Sequence, residues 1–255
     1  MAAQTLRPRG RVGVVHVHSA HSHDSRDTLD ELRLFALERG ISFVGLTDHA
    51  EDMSAEAYGE YVASCRALSD DAVTLIPGLE FRFAGFTGLH LLALGLRRWI
   101  APATPEAFLS QTEGVCGLTI LAHPILANYT IPAAVTGRID AIEVWNASYN
   151  TRYLPDPRAI QLLHRVRQAR PEVVAIAGLD QHDCSNDRAT RIVLQSVDGG
   201  EEPIAETRAG RFKNIGKTLR FDSAARLSRV QLGALSVART VFDGIERTQE
   251  RLARA

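Results

Sequence analysis

Residues 11–25 read RVGVVHVHSAHSHDS. The first seven form an apolar run interrupted by one histidine, which predicts a strand. The whole stretch holds four of the nine histidines, His16, His18, His21 and His23, with Asp24 directly after them. In an extended strand, residues i and i+2 point to the same side. The spacing therefore predicts that His16 and His18 reach one ion together while Val17 turns into apolar packing. Imidazoles and carboxylates without thiolates suit Zn²⁺, Mn²⁺ or Fe. The histidines alternate with Val, Ser and Ala behind an apolar run, so they are not an appended run of histidines.

Outward from this stretch, short apolar runs alternate with helical patterns. Strands are expected at 41–49, 72–80, 89–96, 117–124, 140–146 and 172–182, and helices at 28–40, 54–69, near 104–113 and at 157–169. In the first helix Thr28 and Glu31 have capping-box spacing and Gly40 sits where a helix ends. Leu29, Leu32, Phe35 and Leu37 make its expected apolar face. Several strand runs are almost wholly apolar, which predicts a parallel sheet covered on its faces. RIVLQSV (191–197) reads as a further strand, and 223–253 as a long helix rich in Arg and Glu that packs on the domain or covers it. No linker, repeat or low-complexity tract divides the chain.

Polar residues recur where these strands end: His16 and His18, Asp48 and His49, Glu80, His123, Asn146, Asp180 and His182. His90 opens its strand instead. In a closed parallel α/β barrel such ends converge on one rim, where active sites are built. The donors outnumber what one ion needs, so two or three metals are expected.

The net charge of −1 gives no electrostatic case for a nucleic-acid or membrane footprint. Lys213 and Lys217 are the only lysines, so arginine dominates the basic residues. Composition bias is the plain reading, and bidentate phosphate clamps the sharper one. The first eleven residues lack the apolar core of a secretory signal, and no apolar run approaches the ~18 residues of a membrane span. Cys65, Cys116 and Cys184 are odd in number and lack C-x-x-C spacing, which points to a reducing compartment. A cytoplasmic protein is expected, with oligomeric state open.

In chain order, HVHS (16–19), TDH (47–49), PGLE (77–80), AHP (122–124), EVWN (143–146) and GLDQH (178–182) resemble the PHP (polymerase and histidinol phosphatase) domain family of metal-dependent phosphoesterases, over about Val12–His182. The resemblance implies a distorted, TIM-like (β/α)7 barrel with a trinuclear site at the C-terminal rim of the strands. It sets a core at 11–200 and a mostly helical extension, 201–255, packed on the same domain. It implies two or three divalent ions (Mn, Zn or Fe). One is held by His16, His18, Glu80 and Asp180, a second by Glu80, His90 and His123, and a third by Asp24, His49 and His182. His23 is the alternative to Asp24. The implied chemistry is attack on a phosphate ester by a hydroxide bridging the metals that share Glu80, since metals lower the pKa of bound water from ~15.7 toward ~7. His49, Asp180 or a metal-bound water is the general acid, a choice the sequence leaves open.

Arg82 and Asn146 are the expected substrate-binding residues, and Arg152, Arg188 and Arg191 are read, like Arg82, as either phosphate-binding or ordinary surface arginines. Glu143 matches the family without an evident role. Asp48 either bonds a ligand or caps its loop. His21 and His164 read as ordinary loop and helix residues. The expected substrate is a small phosphomonoester or a nucleotide or oligonucleotide. Only residues 81–89 separate Glu80 from His90, which resembles the nucleotide-acting branch, yet the large cap of that branch is missing between His90 and His123. The rivals are an amidohydrolase-like hydrolase and a non-catalytic PHP-type accessory module. The first commonly bridges its metals with a mid-barrel lysine, and no lysine precedes residue 213.

Overall fold

The computed structural model of the chain describes residues 10–150, 153–187, 189–195 and 202–253, and only the helical backbone of 246–253. Its strands are β1 (Val12–Val17), β2 (Phe43–Leu46), β3 (Asp48–His49), β4 (Thr74–Ile76), β5 (Gly78–Arg82), β6 (His90–Leu94), β7 (Leu118–Ala122), β8 (Ala141–Asn146), β9 (Val174–Gly178), β10 (Arg191–Leu194), β11 (Phe212–Ile215) and β12 (Arg220–Asp222). The helices are α1 (Leu29–Glu38), α2 (Ala55–Leu68), α3 (Pro105–Thr112), α4 (Ala133–Thr136), α5 (Pro157–Val166), α6 (Pro203–Arg208) and α7 (Arg229–Ala253).

Local chemistry sets the helix ends. Thr28 and Glu31 close a reciprocal capping box on α1, and Gly40 leaves the helix at φ +64°. Ser54, Thr104 and Asp156 cap α2, α3 and α5 by accepting backbone N–H groups that no helical carbonyl can reach. The buried face of α1 is Leu29, Leu32, Phe35 and Ala36. Leu37, expected on that face, lies one position too far round and is 40% exposed.

The strands form two six-stranded sheets, β12-β11-β10-β1-β2-β4 and β3-β5-β6-β7-β8-β9. The expectation of a purely parallel sheet does not hold. β5–β6, β6–β7, β1–β10, β10–β11 and β11–β12 are all antiparallel. Between β5 and β6 the cause is length, because residues 83–89 are too few for a parallel crossover of about a dozen residues or more. The reversal places His90, first in β6, opposite Arg82, last in β5, so both lie at the same end of the sheet.

The hydrogen bonding resolves two sheets and not one closed ring. The sheets still meet where β1 passes the segment after β9: Leu179 N–H donates to Val15 O (2.9 Å) and His18 N–H to Gln181 O (2.9 Å). One apolar cluster draws on strands of both, including Val15, Phe43, Ile76, Leu92, Ile120 and Ile176. A larger cluster joins the outer strand faces to the helices, including Val14, Val17, Leu32, Phe35, Tyr58, Phe108, Ile142 and Leu163. The expected core boundary at 200/201 falls outside the described residues. Beyond it β11 and β12 extend the first sheet, and α7 begins at Arg229, later than the expected 223. Among the described residues no helix is long and apolar enough to cross a membrane.

Candidate metal centre

His16 and His18 do converge, but not by regular strand alternation. Val14 packs in the outer cluster and Val15 in the inner one. Unbroken alternation would send His16 outward with Val14. Instead the pairing with β2 shifts between Val15 and Val17, which face the consecutive residues Gly45 and Leu46, and His16 takes φ 63°. This bulge inserts one residue and reverses the phase. His16 then turns into the site, Val17 returns to the outer cluster, and His18 follows beyond the strand end.

Two further site residues, Asp180 (φ 50°) and His123 (φ 21°), also carry positive φ. Non-glycine residues there cost about 1–3 kcal/mol each and concentrate at functional sites. Three of the nine sequence-derived ligand positions are held this way.

All nine come together. His16 Nε2 lies 3.4 Å from Asp180 Oδ1 and 3.7 Å from Glu80 Oε2; His18 Nε2 lies 3.5 Å from each. Both nitrogens are buried and have no hydrogen-bond partner. Glu80 Oε1 contacts His90 Nδ1 at 2.7 Å and His123 Nε2 at 3.1 Å. Asp24 Oδ2 contacts His49 Nε2 at 3.1 Å and His182 Nε2 at 3.3 Å. His49 Nδ1 is 3.3 Å from Glu80 Oε2, so Glu80 touches every part of the cluster. His23 turns away to bond Asp52 at 2.8 Å.

This donor set fits divalent metal ions. Four ligands about 2.1 Å from a tetrahedral ion stand about 3.4 Å apart, close to the spacing of the His16, His18, Glu80 and Asp180 donors. Three groups of donor atoms each lie mutually within 4.8 Å: His18, Asp24, His49 and His182; His16, Glu80 and His123; and His16, His18 and Asp180. An unpaired, fully buried imidazole nitrogen costs free energy unless something occupies it.

The electrostatics agree. Burial opposes charge on His16, but Asp180 and Glu143 outweigh it and hold its pKa well above the ordinary histidine value. Burial likewise opposes ionising Glu80, but His123, His16, His49 and His90 hold its carboxyl well below the usual range. Burial would raise Asp180, and His16 and His18 lower it instead. With its pKa raised in this way, His16 must give up a proton before its ring can ligate, so metal entry there is coupled to proton release.

The supporting contacts were less legible. Glu143 accepts from His16 Nδ1 (2.8 Å), from His123 N–H (2.8 Å) and from Asn146 Nδ2 (2.9 Å). It fixes the His16 tautomer with Nε2 toward the cluster. Asn146 is buried, and its carbonyl oxygen accepts from Ser148 and Tyr149 N–H. With its amide so engaged, it positions Glu143 and has no group left to offer a substrate. Asp48 caps the loop, accepting from Ser19 N–H, Ser19 Oγ and Ser22 Oγ. Ser22 Oγ in turn meets His18 Nδ1 at 3.3 Å.

Arg82 lies at the mouth, its Nη2 3.2 Å from His49 Nε2. Tyr149, which no sequence motif singles out, stands there with its ring 5.0 Å from that of His123. Arg191 is committed to Asp187 (2.6 Å), and Arg152 and Arg188 lie outside the described residues. His21 contacts Ser19 and Tyr61, and His164 contacts Ala225 O, away from the cluster.

PsfC from Pseudomonas syringae PB-5123 superposes with a TM-score of 0.52 at 17% identity, covering 91% of this chain and 97% of its own. A protein from Bifidobacterium adolescentis, provisionally described as a metal-dependent phosphoesterase, gives 0.49 at 14% identity, covering 68% and 88%. No curated protein matches in sequence. The PHP domain matches residues 15–153, more than half the length and the span that carries His16 through Asn146. The chain therefore belongs to the PHP domain family, a family of metal-dependent hydrolases.

Proposed function

We propose that this protein is a metal-dependent phosphoesterase acting on a small phosphomonoester or a nucleotide. The observation that carries the reading is the pair of buried, unpartnered nitrogens, His16 Nε2 and His18 Nε2, facing the Glu80 and Asp180 carboxylates. In this reading His16, His18, Glu80 and Asp180 hold one ion; Glu80, His90 and His123 hold a second; Asp24, His49 and His182 hold a third. The two sheets are halves of one distorted barrel, a view supported by the Val17–Gln181 bridge between them. The solved protein described as a metal-dependent phosphoesterase is consistent with this chemistry.

Divalent ions bound there supply an acidified water as nucleophile and neutralise the phosphate oxygens. The chain supplies the rest. Glu80 bonds on both carboxylate oxygens and ties the subsites into one unit. Arg82 adds a guanidinium at the open side, in place to bind a phosphate oxygen. In this reading His49, between Asp24 and Glu80, passes a proton to the leaving oxygen, while Asp180, the other candidate, is held ionised by His16 and His18 and serves as a ligand. The residues between His90 and His123 build β6, α3 and β7, so the segment that could carry a cap is spent on scaffold. An uncapped site favours small or flexible substrates.

The test is hydrolysis of p-nitrophenyl phosphate and bis(p-nitrophenyl) phosphate by Mn²⁺- or Zn²⁺-loaded protein, with a chelated sample and His18→Ala as controls. Turnover lost on chelation and in the variant is expected, and the mono-to-diester ratio narrows the substrate. A fully loaded protein inert toward both, and toward a panel of nucleotides and sugar phosphates, overturns the reading.

A further inference from the structure

α7 begins with a second reciprocal cap, in which Ser228 N–H donates to Gln231 Oε1 and Gln231 N–H to Ser228 Oγ. One side of the helix meets the domain: Leu232 is buried, Leu235 packs against the outer core, and the Phe242 ring lies 5.0 Å from that of Tyr153. A surface helix normally turns charge to solvent on its other side. Here Val230 is 81% exposed, Val237 66%, Val241 58% and Ile245 51%. The remaining exposed positions between Val230 and Ile245 are Gln231, Gly233, Ala234, Ala238 and Thr240. None carries a charge, and Arg239 and Asp243 pair with each other at 3.0 Å. Within the segment 223–253, read from sequence as rich in Arg and Glu, Arg239 is the only basic residue from Val230 to Ile245, and both glutamates, Glu246 and Glu250, come after that stretch.

Val230, Ala234, Val237, Val241 and Ile245 follow one another at steps of four, three, four and four residues, which keeps them on one side of a straight helix of 3.6 residues per turn. The strip is about 22 Å long at 1.5 Å per residue. We propose that α7 is a homodimerisation helix, its outer face packing on the same face of a second copy of this chain.

Three properties select that occupant. A charge-free strip meets its own copy in either direction without opposing like charges. Its side chains are Val, Ala and Ile, small enough to let two helix backbones approach closely. A helix lying on lipid instead carries Trp, Phe or Leu; this strip has none of these, although Arg229 stands exposed at its start. Finally, burying it removes roughly 400–500 Å² from each copy, so about 900 Å² in total, below the size of stable interfaces and in the range of weak, reversible ones.

Sedimentation equilibrium of the full chain from about 1 to 200 µM tests this. Wild type is expected to pass reversibly from monomer to dimer. Val237→Lys and Val241→Lys should each raise the dissociation constant at least about tenfold, with far-UV circular dichroism and thermal midpoint unchanged. Leu34→Lys, on an exposed apolar residue of α1, should leave dimerisation intact. The proposal is overturned if wild type stays monomeric throughout, if both α7 variants dimerise as wild type does, or if Leu34→Lys abolishes the dimer equally. It is also overturned if the α7 strip instead drives monomers onto phosphatidylcholine or phosphatidylglycerol vesicles.

Discussion

The carboxylate of Glu143 accepts a hydrogen bond from His16 Nδ1 at 2.8 Å, and this pair decides which nitrogen of His16 faces Glu80 and Asp180. With Nδ1 holding the proton, Nε2 carries the lone pair that a metal needs. Glu143→Gln is nearly isosteric but can turn its NH₂ toward His16, favouring the opposite tautomer with Nε2 protonated. Metal affinity should fall about 10–100-fold, the usual effect of removing a partner behind a ligand, with little change in fold. Isothermal titration with Zn²⁺ or Mn²⁺ reads it, and unchanged affinity removes Glu143 from the site.

Gly178, at the end of β9, makes that arrangement possible. A Cβ built on it would sit 1.8 Å from Glu143 Oε1 and 3.2 Å from His16 Cβ. Gly178→Ala should displace Glu143, destabilise the fold by about 1–3 kcal/mol and weaken metal binding at least as much as Glu143→Gln. Gly59 is the contrast: it lies exposed on α2 with nothing within 4 Å of the added methyl. Gly59→Ala should stabilise by about 0.5–1 kcal/mol. Urea unfolding of both variants checks the pair, and a tolerated Gly178→Ala refutes the steric argument.

The sequence read well where chemistry is local. The capping box at Thr28 and the polar residues at strand ends depend on neighbours within a few positions, and the motifs from His16 to His182 fall together in space. It read badly where partners are far apart. Apolar strands suggest a parallel sheet, although the short 83–89 connection argues for an antiparallel hairpin. The His16 bulge has no local signature, because its cause is the phase shift against β2. Glu143 carried one available sign, a carboxylate two residues from the inward-facing Ala141 on an otherwise apolar strand; its partner His16 lies 127 residues away.

Metal removal should be visible in stability as well as activity. Ions that bind the folded chain and not the unfolded one stabilise it by about 4 kcal/mol at a thousandfold excess over their dissociation constant. For a chain of this size that corresponds to a rise on the order of 10 °C in the thermal midpoint. Differential scanning calorimetry with Zn²⁺ or Mn²⁺, and with a chelator, should show that gap, and His18→Ala should flatten it. Equal midpoints with and without metal would falsify the assignment of this cluster as a metal centre.

Thiol chemistry supplies an independent check that the reaction belongs to the cluster. Burial pushes the Cys65 thiol up to about 12. Burial does the same to Cys116, also to about 12, and its Sγ–H is held by Leu94 O and Leu118 O. Burial and the neighbouring Asp27 raise Cys184 as well. At pH 8 a thiol of pKa 12 is ionised to about one part in ten thousand, and only the thiolate reacts. Ellman's reagent at pH 8 should therefore leave the folded protein almost untouched over minutes and titrate all three free cysteines after guanidinium. Hydrolytic activity should survive the incubation. Rapid modification of one thiol with parallel loss of turnover would shift the nucleophile from the histidine–carboxylate cluster to a cysteine.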